Sequence, residues 1–143
     1  MKQPGVILTL LVFIAALSFV LAAQQKQNSR PLTARLSGVS QIAGDADGSG
    51  TAKILLNAAQ SQLCYEVVVN NIATPSNITI FSNATSKLAS FAIASESAKS
   101  PMTQCAVVER EKLMDIARNP ASYFVSVQNT EYPNGALRGQ LVR

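Results

Sequence analysis

Apolar and polar residues alternate in short bursts along most of this chain. The clearest run places Leu63, Tyr65, Val67 and Val69 in one phase and Cys64, Glu66 and Val68 in the other. That period of two predicts a half-buried β-strand. Leu32, Ala34 and Leu36 keep the same phase within residues 32–42, and residues 51–56, 78–81 and 88–93 give shorter strands. Near the end, Tyr123, Val125 and Val127 share one face while Phe124, Ser126 and Gln128 take the other. Tyr132-Pro133-Asn134-Gly135 then supplies a turn, because proline presets φ and Asn-Gly tolerates positive φ. Residues 136–142 return as a second strand, with Leu137 and Leu141 inward and Arg138 and Gln140 outward.

Two stretches break the rhythm. Residues 95–104 are small and polar and predict a mobile loop. Residues 109–118 predict a helix: Leu113, Ile116 and Ala117 fall at helical spacing, Glu109 and Glu111 lie early and Arg118 late, and Asn119-Pro120 closes it. The pattern predicts an all-β fold, an antiparallel sandwich or barrel carrying one short helix.

The N-terminus changes the picture of compartment. Lys2 precedes an apolar run over residues 6–21, and Val20-Leu21-Ala22 followed by Ala23-Gln24 offers small residues for cleavage. Residues 1–23 therefore predict a signal peptide, residues 24–31 a polar spacer and residues 32–143 the domain. A run retained as a membrane anchor is the alternative. The net charge of +4 falls to +3 when Lys2 leaves, and its basic residues are scattered. Nothing has the clustering of a nucleic-acid surface, so no nucleic-acid partner is expected. Cys64 and Cys105 are the only two cysteines, and in an exported domain they predict one disulfide.

Candidate chemistry is sparse. The chain has no histidine. That removes imidazole from any catalytic pair or nitrogen-ligated metal site. Asp45-Ala46-Asp47-Gly48-Ser49-Gly50 opens like an EF-hand calcium loop, but its twelfth position is Leu56 and the next segment reads as strand. A glycine-rich turn whose aspartates bond their own backbone is the expectation. No metal, cofactor or catalytic residue is expected. Two N-glycosylation sequons begin at Asn77 and Asn83 and count if the source is a eukaryote.

From residue 32 to 141 the chain resembles the CHRD domain, the module named after chordin. The resemblance is carried by Leu36-Ser37-Gly38, Gly50-Thr51-Ala52, Leu63-Cys64-Tyr65-Glu66 and Gln104-Cys105-Ala106-Val107. Its most specific part is the closing stretch from Pro120 through Tyr123 and Tyr132-Pro133-Asn134-Gly135 to Arg138-Gly139-Gln140-Leu141. The resemblance implies a secreted β module and supplies no mechanism. The family usually carries His-x-His where this chain has Thr79-Ile80-Phe81, and a further histidine where it has Gln128. Any metal or ligand role of those histidines cannot be carried over.

The reading that follows is an extracellular binding or structural module without catalysis. Its candidate face is Ser126, Gln128, Arg138 and Gln140, with Thr79 beside them, and its partner is an extracellular protein or glycan. A merely solvated sheet face is the plain alternative for these residues. The rival function is a small-ligand or metal-dependent extracellular enzyme using carboxylates and that polar face. Cleavage is expected near Ala22 or Ala23. Intact-mass measurement on exported protein checks this, and a mass that includes residues 1–21 refutes it.

Overall fold

The computed structural model describes residues 31–40, 43–82, 86–92 and 99–143. The expected leader, nearly all of the spacer, residues 41–42, Asn83, Ile93 and residues 95–98 lie outside the described residues. The strands are β1 (Leu32–Ser37), β2 (Ser49–Asn57), β3 (Gln62–Asn70), β4 (Pro75–Ser82), β5 (Ser86–Ala92), β6 (Met102–Val107), β7 (Tyr123–Asn129) and β8 (Leu137–Gln140). They form one eight-stranded sheet in the order β5-β4-β7-β8-β1-β2-β3-β6, antiparallel at every pairing. The two edge strands approach each other without pairing, so the sheet rolls into a nearly closed barrel with a seam between β5 and β6.

The period of two decides what fills the barrel. Leu32, Ala34 and Leu36 of β1, Ala52 and Ile54 of β2, and Leu63, Tyr65 and Val67 of β3 point inward and are buried. Ile78 and Ile80, Tyr123, Val125 and Val127, and Leu137 with Leu141 complete the core. Each buried Val, Leu or Ile contributes about 1.5–3 kcal/mol relative to exposure. Gly139 is inward too, and its lack of a side chain is required. A Cβ there would stand 2.2 Å from the Arg35 carbonyl oxygen, so glycine lets β8 lie close against β1.

Helix α1 (Arg110–Arg118) packs Leu113 and Ile116 against β2 and β3. Truncating either to alanine would cost about 2–5 kcal/mol, because the helix has no other deeply buried contact. The helix ends at the expected place. Asn119 closes it with a backbone bond to the Asp115 carbonyl oxygen at 2.8 Å. Arg143 donates to the carbonyl oxygens of Ala117 and Arg118 at 2.6 and 3.3 Å, satisfying acceptors that a helix end leaves open.

Two sequence expectations are corrected. The first strand stops at Ser37, because Gly38–Ser40 turns as a 3-10 helix. The polar stretch expected to be a loop is in part a strand: β6 pairs with β3 from Met102↔Val67 to Val107↔Gln62. Composition hid it for a physical reason. An edge strand has an open side, and of the residues in β6 only Met102 is deeply buried. The ladder hydrogen bonds hold it in place of an apolar face.

The same ladder sets Cys64 directly opposite Cys105, and the two are joined. Their Cα atoms are 4.0 Å apart and 41 residues apart in sequence. The bridge lies on the outer surface and fastens the edge strand to its neighbour. Closing a loop of this length restricts the unfolded chain by about 4 kcal/mol, a large share of the roughly 5–15 kcal/mol that holds a small domain together. The Cys64→Ser, Cys105→Ser double variant should therefore lose most of that in denaturant unfolding. A midpoint equal to the parent's would show that the ladder alone secures β6.

Candidate binding face

The C-terminal hairpin shapes the candidate site. Its turn forms as expected, with the Gly135 N–H bonded to the Tyr132 carbonyl oxygen at 3.1 Å and Gly135 at φ 130°. The chain between Asn129 and Tyr132 is fixed by one side chain. Asn129 is 1% exposed, accepts from the Tyr132 N–H at 2.8 Å and donates to the Ala73 carbonyl oxygen at 3.3 Å. A buried amide that satisfies two backbone groups is costly to replace with an apolar residue. Beside this loop, on the outer face of β4 and β7, lies an open groove of about 580 Å³. Ser76, Asn77, Thr79 and Phe81 line it from β4, Lys87 from β5, and Gln128 to Thr130 with Pro133 and Asn134 from the hairpin.

The floor of the groove is a chain of neutral hydrogen bonds. Thr79 donates to the Gln128 side-chain oxygen at 3.3 Å and lies 3.2 Å from the Ser90 hydroxyl. Ser90 and Asn77 exchange bonds at 3.0 and 3.1 Å. Gln128 donates to the Ser126 hydroxyl at 3.5 Å. Among the described residues no buried side-chain polar atom lacks a partner. Such a network is rigid, and it contains neither a carboxylate nor an imidazole to act as a base.

One step along the same face, the Phe81 and Phe124 rings stack with centroids 5.1 Å apart. The Arg138 guanidinium lies 3.6 Å from the centroid of the Phe124 ring. Sandwiched in this way, Phe124 is buried although it points away from the core. Gln140 turns elsewhere and donates to the carbonyl oxygens of Ala121 and Tyr123, both at 2.6 Å, so it ties β8 to the turn before β7.

Each residue of the expected face is on the outer surface of the sheet, but its exposure differs from a solvated face. Thr79 is 0%, Ser126 2% and Gln128 9% exposed. Their neighbours on both sides and the hairpin loop close over them. Arg138 is half-buried and Gln140 is exposed but committed to backbone carbonyls. Sequence reasoning missed Asn77 as a groove residue, together with Phe81, Lys87 and Asn134. The outward phase of β4 signalled the first two. Lys87 needed the bulge in the β4–β5 pairing. Thr79, Phe81 and Gln128, the positions at which the resemblance implies histidine, all line this one groove.

The aspartate turn lies apart from the groove lining. The Asp45 N–H bonds to the Ala136 carbonyl oxygen at 2.9 Å, and the Gly48 N–H bonds to the Asp45 carbonyl oxygen at 3.0 Å. The hydrogen bond with the Asp47 side chain, then burial and the negative charges of Asp47 and Glu131, push the Asp45 carboxyl above its ordinary range. The residues that would close a calcium loop form β2 instead. Among the described residues no group of three or more His, Cys, Asp or Glu side chains is placed to hold a metal.

The fold is an all-antiparallel, nearly closed barrel with a hydrogen-bonded outer face and a covalent staple. The model of the CHRD domain matches residues 32–141, and the chain belongs to that family. No curated protein and no solved structure matches it. No helix among the described residues is long and apolar enough to cross a membrane.

A second polar contact ties the helix to the hairpin. The Tyr123 hydroxyl donates to Asp115, and Asn119 donates to the other carboxylate oxygen at 3.0 Å. These two bonds hold Asp115 below its ordinary value of 3.8. Burial, then the bond to Asp115, pushes Tyr123 from 10.0 to about 12. The Asp115 contribution to stability is present above pH 3.8 and is lost as pH falls through its folded value. The Tyr123 contribution is present below pH 10.0 and is lost as pH rises through about 12. In a phenolate absorbance titration, Asp115→Asn should return Tyr123 toward 10.0. Tyr123→Phe should lower thermal stability at neutral pH and match the parent at both pH extremes.

Proposed function

We propose that this chain is exported and acts outside the cell as a non-catalytic binding module, holding its ligand in the groove between β4 and the C-terminal hairpin. The observation that carries the reading is the groove itself: a rigid, fully paired floor of amides and hydroxyls flanked by the stacked rings of Phe81 and Phe124. Such a surface recognises by shape and hydrogen bonding, and it has no nucleophile–base pair with which to turn a ligand over. Family membership, the disulfide and the apolar N-terminal run support an extracellular setting. The partner is a glycan or an extracellular protein, and the membrane enters only if residues 1–23 are retained.

Asn77 opens a sequon but stands within a paired strand with its amide bonded to Ser90. A glycan there would fill the groove, so we assign Asn77 to ligand contact and leave Asn83 as the candidate for glycosylation. The rival enzyme reading has no observation in its favour, because no carboxylate lines the groove.

Binding of the purified protein to arrayed oligosaccharides and extracellular proteins tests the proposal. Phe81→Ala and Asn134→Ala should each weaken the bound partner about tenfold, with circular dichroism unchanged and the partner recovered intact. Undiminished binding by both variants, or conversion of the partner, would overturn it.

A further inference from the structure

The groove is one part of a wider outer surface that curves around the barrel wall across five neighbouring strands, and those strands carry cations and no carboxylate. Lys87 on β5, Arg138 on β8 and Arg35 on β1 all lie on this surface. At a strand spacing of about 4.8 Å they are spread over roughly 19 Å of sheet. Among the described residues, the ion pairs are Lys53–Glu66 and Lys112–Glu109, so these three cations have no carboxylate partner. Among the described residues the only acidic residue within a strand is Glu66, which is held by Lys53 at 2.8 Å. A second shallow depression of about 450 Å³ lies beside Arg35, lined also by Ser37, Ser49, Thr51 and Asn70. Arg138 and the ring it covers stand between the two depressions.

We propose that this surface binds an acidic polysaccharide, a chain of sugars carrying carboxylate or sulfate groups, laid across the strands from Lys87 to Arg35. This rests on the binding-module reading and names the ligand class for the same groove. Three features fit that class together. Cations without a carboxylate partner that follow one another around the wall match a repeating anion, and guanidinium groups pair with carboxylates and sulfates through two parallel bonds. The amides and hydroxyls between them match ring hydroxyls. Phe81 and Pro133 supply apolar surface to the groove for the carbon face of a sugar ring. A peptide would call for deeper apolar pockets, and a neutral glycan would leave Lys87 and Arg35 without a counter-charge.

Affinity electrophoresis of the full exported protein through gels containing polygalacturonate, dextran sulfate, neutral dextran or a single-stranded oligonucleotide tests this. Retardation is expected with one or both acidic polymers. It should weaken with added salt and be absent with neutral dextran. The two acidic gels separate a carboxylate from a sulfate preference. Arg35→Gln with Lys87→Gln should weaken binding at least tenfold, whereas Arg110→Gln with Lys112→Gln, the same charge removed from the helix, should leave it within twofold. Both pairs are surface changes, so the comparison does not depend on Arg138, whose removal disturbs the ring stack. Equal loss in the two pairs, equal retardation by the oligonucleotide, or no retardation by either acidic polymer would overturn the proposal. Salt-independent binding of neutral dextran that is lost in Phe81→Ala would leave the module reading standing and remove the acidic class alone.

Discussion

Burial of β7 on both of its faces is the constraint on which the rest of the structure depends. All seven of its residues are buried. One phase, Tyr123, Val125 and Val127, enters the core, and the other, Phe124, Ser126 and Gln128, is covered from outside. A strand in that position must satisfy two different chemistries at once. Inside, aliphatic packing is sufficient. Outside, two hydroxyl- and amide-bearing residues must find hydrogen bonds: Gln128 accepts from Thr79 on β4 and donates to Ser126. The register of β4 against β7, Thr79 opposite Ser126 and Phe81 opposite Phe124, therefore fixes both the core and the candidate groove.

The three positions at which the resemblance implies histidine gain meaning in this setting. Thr79, Phe81 and Gln128 do not leave a vacated pocket. Thr79 and Gln128 bond to each other, and Phe81 becomes half of an aromatic stack. The groove floor is a neutral hydrogen-bonded network, with Lys87 and Arg138 at its margins.

Much of this was legible in the sequence. The alternation in Leu63 to Val69 and Tyr123 to Gln128 specified β3 and β7, the Pro-Asn-Gly turn specified the hairpin, and helical spacing with Asn119-Pro120 specified α1. These signals are local, and the fold agrees with them. β6 was illegible because an edge strand beside a seam needs little apolar surface. The covering of Ser126 and Gln128 was illegible because polar residues in an outward phase ordinarily mean solvent. Only the pairing of β7 with β4 and β8 shows that partners come from distant parts of the chain. The wide basic surface was hidden for the same reason: Arg35, Lys87 and Arg138 are scattered in sequence and come together only through strand order.

The join between the first and last strands has a mechanical consequence. Thr33 and Val142 exchange backbone bonds, both at 2.8 Å, in an antiparallel bridge. The chain therefore enters and leaves the barrel side by side at the same end. Tension applied through the two ends would load those bonds one after another, in the manner of a zipper, and would not shear them together. Residues near Val142 would peel away at low force, while the stapled β3–β6 pair lies away from the line of pull. Within a longer extracellular chain, such a domain would hang as a side bead on the strand that bears the load.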